Sequence, residues 1–202
     1  DVLKKPNILG FDVALDFPAY TQQLDKSISN IGDLVIPSGT KIGWVFNAQN
    51  TDDISIQFSH LEKTVPAERF DDELFTYKKT ALKDETYKIF VSNAHLPFAD
   101  SVAYSITVIP DLHPTISVEN FTDTLDNSML FFVGDAADDY GLLSLSFNYQ
   151  IRTVKGIQGE LKTIKLKNPA AKQVQYDYAW DISLLELNPG DEVLYYFEVF
   201  DN

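Results

Sequence analysis

The chain has 202 residues, 45% hydrophobic and 23% charged, with 30 acidic side chains against 16 Lys and Arg and a formal net charge of −14. That balance speaks against a nucleic-acid backbone or an anionic membrane as partner. With no cysteine, a disulfide, a zinc–thiolate site and a thiol nucleophile are excluded.

No apolar run approaches the roughly 20 residues of a membrane helix. Asp1-Val2-Leu3-Lys4-Lys5-Pro6 also lacks the apolar stretch of a signal peptide. The expectation is a soluble piece of something larger. Along the chain, glycine and proline punctuate short runs rich in Val, Ile, Phe and Tyr. Val13, Leu15 and Phe17 alternate with Asp12, Ala14 and Asp16. Ile42, Trp44 and Phe46 share one face, as do Tyr87, Ile89 and Val91, and then Tyr104, Ile106 and Val108. Further on, Val174, Tyr176, Tyr178, Trp180 and Ile182 alternate with polar residues and Ala179. Val193, Tyr195, Phe197 and Val199 share the last face. Period two with one apolar face predicts half-buried antiparallel strands.

Roughly seven such strands per half, spaced by about 8–12 residues, predict an all-β fold of two tandem immunoglobulin-like sandwiches, of fibronectin III or cadherin-like kind. Pro110-Asp111-Leu112-His113-Pro114 sets the boundary, giving modules 1–110 and 111–202. The one mild helical signal, Ile182 to Leu187, reads as a turn crossing between sheets.

A repeat supports the two-module reading. Ile42–Phe46 leads through Asp52-Asp53 into Ile54–Phe58. Met129–Val133 leads through Asp138-Asp139-Tyr140-Gly141 into Leu142–Phe147. Aligning the aspartate pairs gives a shift of 86, and aligning Tyr87 with Tyr195 gives 108. The difference implies an insertion of about 22 residues, mostly the basic segment 152–172 around a Gly156–Gly159 turn. Tyr87 and Tyr195, each preceded by acids, resemble a tyrosine corner whose phenol bonds to nearby backbone. After Val193–Val199 no further strand pattern follows, so the second module is expected to lack its last strand.

Candidate sites are few. His60, His95 and His113 have no carboxylate partner by spacing and read as isolated. No Gly-x-Ser-x-Gly elbow, phosphate-binding glycine loop or His-Glu-x-x-His occurs, so an enzyme is not expected. Trp44 and Trp180 read as core rather than as a ligand platform. An immunoglobulin-like pole would gather Asp111, Asp135, Asp138, Asp139 and Asp201, oxygen ligands suited to calcium. The alternative for the turn is Asp capping its own backbone, with Gly141 at a positive φ. The basic residues Arg152, Lys155, Lys162, Lys165 and Lys167 form either a solvated, edge-protecting hairpin or a docking edge for an acidic partner.

Phe17-Pro18-Ala19-Tyr20-Thr21, Gly32–Thr40, Val108-Ile109-Pro110-Asp111, Asp138–Leu142 and Tyr195-x-Phe197-x-Val199-x-Asp201-Asn202 together carry a resemblance. The chain resembles the extracytoplasmic immunoglobulin-like region of large, membrane-anchored proteins of unknown function from Bacteroides-type bacteria. That resemblance implies a periplasmic, cell-envelope location, a parent chain anchored in the membrane, and no catalytic residue to transfer. The functional expectation is a non-enzymatic spacer or interaction module with a protein partner or a second copy of itself. The alternative is a glycan- or peptide-binding module using end loops or the 152–172 hairpin. No cofactor is expected, calcium aside.

Overall fold

A computed structural model describes residues 3–122, 128–167 and 171–201. The chain divides into two compact units between Asp111 and Leu112. In the first, β1 (Asn7–Asp16), β2 (Lys26–Ser29), β3 (Leu34–Pro37) and β4 (Lys41–Gln49) are followed by β5 (Asp53–Phe58) and β6 (Val65–Pro66). Then come β7 (Glu68–Arg69), β8 (Leu74–Thr80), β9 (Glu85–Asn93) and β10 (Leu96–Ile109). One sheet has the order β2-β1-β4-β8-β7 and the other β3-β10-β9-β5-β6. β3 runs parallel to β10, and the remaining pairs are antiparallel.

Alternation explains the burial. In β4, Ile42, Trp44, Phe46 and Ala48 are buried, while Lys41, Val45, Asn47 and Gln49 face out. Eighteen buried side chains fill the space between the sheets. The segment 65–69 crosses from one sheet to the other, β6 pairing with β5 and β7 with β8. Val65 and Ala67 pack on the core as it passes.

At the centre Trp44 Nε1 donates to the Tyr87 hydroxyl at 3.3 Å, and that hydroxyl donates to the Gly32 carbonyl at 2.7 Å. The tyrosine-corner expectation is corrected here: the phenol lies inside the core and bonds backbone 55 residues upstream. Gly32 is required, because a Cβ there would lie 2.3 Å from the Tyr104 ring. Burial pushes the Tyr87 phenol well above its ordinary range, so it stays a donor. Tyr87→Phe leaves a buried carbonyl and an indole N–H unpaired. It is expected to cost the first module about 1–3 kcal/mol in urea unfolding. An unchanged midpoint would show that the phenol bonds hold nothing.

The second unit has β11 (Thr115–Thr122), β12 (Met129–Ala137), β13 (Leu142–Arg152), β14 (Lys162–Lys167), β15 (Gln173–Asp181) and β16 (Glu192–Asp201). Its sheets are β11-β12-β15 and β14-β13-β16. As expected, the turn after β15 carries the chain between sheets, through a 3-10 helix at Ile182–Leu184. The basic segment turns back on itself, β14 pairing with β13 as a hairpin. Six strands are seen among the described residues, not seven. Among the described residues the order lacks counterparts of β2, β3, β7 and β10.

The ladders also correct the repeat. Phe58 pairs with Tyr87 and Tyr149 with Tyr195, so the third strands are related by a shift of 91, not 86. Asp53 pairs with Ser92, and Ser144 pairs with Phe200, the residue 108 further on. Asp53 therefore corresponds to Ser144, and the twin aspartates are not equivalent. A turn one residue longer and the bulge at Leu142–Ser144 contribute to the slip, and the insertion shrinks to 17 residues.

Candidate functional site: an aromatic cleft in the second module

β14 runs into β15 with only five residues between them. Among the described residues of the second module, no strand pairs with the outer edge of β15 as β7 pairs with the outer edge of β8. The space between the two sheets stays open there as a cleft of about 690 Å³. One wall is Tyr149, Ile151, Lys162 and Ile164 from the β13–β14 hairpin. The other is Tyr178 to Asp181 of β15, and Leu184 to Glu186 close one end. Alternation aims the inward residues of both strands at each other, and the rings interlock. Trp180 lies 5.1 Å from Tyr149, and both Trp180 and Tyr178 lie 4.8 Å from Phe147, measured between centroids.

The cleft is neutral at its floor. Burial, then the neighbouring Tyr149, pushes the Tyr178 phenol above its usual value. Lys162 Nζ sits 5.7 Å from the Tyr149 ring centre and supplies a cation at the rim. Asp181 accepts the Ser183 N–H and hydroxyl, which commits it to capping the 3-10 helix. The described lining contains no His, Ser or Thr. Stacking, apolar contact and charge recognition are what this arrangement offers.

The sequence placed Trp180 in the core. It is 5% exposed there and also forms the cleft floor. Tyr149, Tyr178, Ile151 and Ile164 were missed as site residues. The available signal was the short connection before β15.

The basic residues are spread along the hairpin. Arg152 pairs loosely with Glu192 at 3.8 Å, and Lys155 is exposed at the turn. Lys162 reaches the cleft, and Lys165 stands opposite Ser146 on the outer face. Lys167 Nζ donates to the Gln175 carbonyl at 2.6 Å, across the sandwich edge. Asp111 ends the first unit. Asp135 is exposed on β12, and Asp201 lies opposite Leu142. Asp138 accepts the N–H groups of Tyr140 and Gly141, and Gly141 has φ +126°, as the turn-capping alternative expects. Among the described residues no group of three or more His, Asp or Glu is placed to hold a metal ion. The calcium expectation finds no assembled ligand set.

One histidine reading is corrected. His60 Nδ1 lies 2.7 Å from Glu85 Oε2, and Lys79 Nζ lies 3.3 Å from Glu85 Oε1. Strand pairing, not sequence spacing, brings them together. A smaller cavity of about 320 Å³ in the first module is bounded by β1, β9 and β10. Asn30 caps the Phe11 N–H at its rim.

In the first module β1-β4-β8-β7 faces β10-β9-β5. This is the strand order of an immunoglobulin-like sandwich, with β2, β3 and β6 added. The second module keeps the first, second, third, fifth and sixth strands of that order. The chain is thus a tandem immunoglobulin-like β-sandwich protein.

The sequence matches no family model and no curated protein. Among solved structures it is similar to dimeric latent PorU from Porphyromonas gingivalis, at 12% identity and a TM-score of 0.34. That match covers 97% of this chain and 19% of PorU, so the chain spans about a fifth of that protein. A chicken T-cell receptor structure is matched at 9% identity and a TM-score of 0.31, covering 75% of this chain and 88% of that one. The Bacteroides ovatus mixed-linkage glucan utilization locus protein SGBP-B, in complex with a mixed-linkage heptasaccharide, is matched at 10% identity. Its TM-score is 0.24, with coverage of 89% and 55%. At these scores none of the three bears on what this chain binds.

Proposed function

We propose that the chain is a non-enzymatic spacer and docking segment of a bacterial cell-envelope protein, the first module serving as spacer and the second as the docking module. One observation carries the division of labour. In the first module the segment 65–69 covers the outer edge of β8, and in the second the outer edge of β15 stands uncovered among the described residues, beside the cleft over Tyr149, Tyr178 and Trp180. The resemblance in the turn and linker phrases supports a periplasmic position and a membrane-anchored parent. Among the described residues no helix is long and apolar enough to cross a membrane.

A second reading, a glycan ligand at the same cleft, is favoured by the tryptophan and two tyrosines that line it. Site-specific photocrosslinking in the parent protein tests docking. Leu184, 77% exposed at the cleft, and Leu24, 90% exposed in the first module, are each replaced by a photoreactive phenylalanine. A defined protein adduct is expected from position 184 only. Equal adducts from both positions, or none from 184, would overturn the docking role.

A further inference from the structure

The cleft is bordered by two strand edges as well as by rings. β14 and β15 are each the last strand of a sheet. Lys167 reaches the Gln175 carbonyl, so that carbonyl points to the open side of β15. Within a strand, alternate residues present their N–H and C=O to the same side. Asp177 and Ala179 therefore face the open side as well.

The first module shows what fits such a place. There an extended segment pairs through Glu68 and Arg69 with β8, the counterpart of β15. Its apolar residues at alternate positions, Val65 and Ala67, pack on the core. The second module has the corresponding edge on β15, an apolar floor and no such segment among its described residues. Charge narrows the occupant further on the hairpin side, Asp181 (bonded to Ser183) and Glu186 standing at the other end of the cleft. The stretch from Arg152 to Lys172 has six basic residues and one acid, Glu160. Lys162 stands opposite Tyr149, and Lys167 stands opposite Leu145.

The geometry points to an extended, acidic peptide segment of a protein partner as the ligand of this cleft, added as a strand to the open edge of β15. Alternate apolar side chains of the peptide enter the space over Tyr149, Tyr178 and Trp180. The acidic residues between them meet Lys162 and Lys167. Main-chain hydrogen bonds along Asp177 and Ala179 supply affinity, and the apolar slots and lysines supply selectivity. This inference rests on the docking role of the cleft and specifies its partner.

The test uses nuclear magnetic resonance on the whole chain, which has two tryptophans. Trp180 lines the cleft, and Trp44, fully buried in the first module, is the internal control. The probes are a capped heptapeptide alternating glutamate with valine and phenylalanine, its glutamine analogue, and cellohexaose. The heptapeptide is expected to shift the Trp180 indole and the Asp177 and Ala179 amides, leaving Trp44 unmoved.

Ala179→Pro removes an N–H on the open side, where an edge strand tolerates proline. It is expected to weaken the heptapeptide about tenfold, the loss of one hydrogen bond, with the melting temperature kept. Lys162→Glu, at an exposed side chain, is expected to weaken the heptapeptide and spare the glutamine analogue. Binding unaffected by Ala179→Pro would overturn the strand-addition geometry. A Trp180 response to cellohexaose alone would overturn the peptide ligand while leaving the cleft a binding site. Shifts that grow with protein concentration in the absence of peptide would replace the partner by a second copy. If no probe moves Trp180 the peptide inference fails, and the crosslinks at Leu184 separately decide the docking role.

Discussion

Replacing Gly134 by valine is expected to abolish folding of the second module while the first module still melts cooperatively. Gly134 is buried on β12, with Val118 of β11 and Tyr176 of β15 as its ladder partners. A Cβ at this position would lie 2.1 Å from the Ser117 carbonyl oxygen and 2.6 Å from the Tyr176 ring. The Tyr176 hydroxyl already donates to that same carbonyl at 2.8 Å, closing over the glycine. Relief requires backbone motion in β11 or loss of the Tyr176 anchor. A side chain forced onto backbone exceeds the usual overpacking cost of about 1–3 kcal/mol. Stabilities of about 5–15 kcal/mol are normal for a domain, and this one has few buried core residues. Calorimetry checks the result: one of two transitions should vanish in the valine variant and fall in temperature for Gly134→Ala. Two unshifted transitions in Gly134→Ala would show that β11 gives way freely.

Glu85→Ala should be the most damaging single change among the charged residues of the first module, at about 3–5 kcal/mol, the usual cost of breaking a buried ion pair. Its side chain is 2% exposed and lies within ion-pair distance of both Lys79 and His60. Lys79 is itself 19% exposed, with its ammonium 4.5 Å from the Phe58 ring centre. Removing Glu85 leaves that cation in an aromatic, poorly hydrated place. The double change Lys79→Met with Glu85→Leu removes both charges and should recover most of the loss, since apolar replacement of a buried pair is often neutral or better. Urea unfolding of the wild type, Lys79→Met, Glu85→Leu and the double variant measures the coupling. Additive losses would mean that the two residues act separately.

Much of the architecture was legible because alternation is a local property. Trp44, Phe46, Tyr87 and Ile89 announced their faces, and they are buried where expected. Register was not legible. A longer turn and a bulge are among the local changes that put Asp138 and Asp139 out of line with Asp52 and Asp53, and neither leaves a mark in composition. The His60–Glu85–Lys79 cluster was hidden for a related reason: pairing distant strands sets those distances. Trp180 was read as core because its strand alternates. That reading was right for the ring and blind to the cleft beside it. The cleft lies beside the uncovered outer edge of β15, and period two carries no information about what fails to cover a strand.

β16 reads Val193, Leu194, Tyr195, Tyr196, Phe197, Glu198, Val199 and Phe200, apolar on both faces, and its ladder partner is β13. Tyr195 is 39% exposed, whereas Tyr87 at the same place in β9 is 1% exposed. This has a consequence in time. β13 pairs first with β14 through a hairpin, an event of about 1–10 μs. Its other edge waits for β16, which begins 40 residues after β13 ends. At about 5–20 residues per second, synthesis leaves that edge bare for roughly 2–8 s. The first module is complete by then. The newborn second module therefore has a long interval in which Phe147 and its neighbours lack a lid, and a ribosome pause before Glu192 would lengthen it.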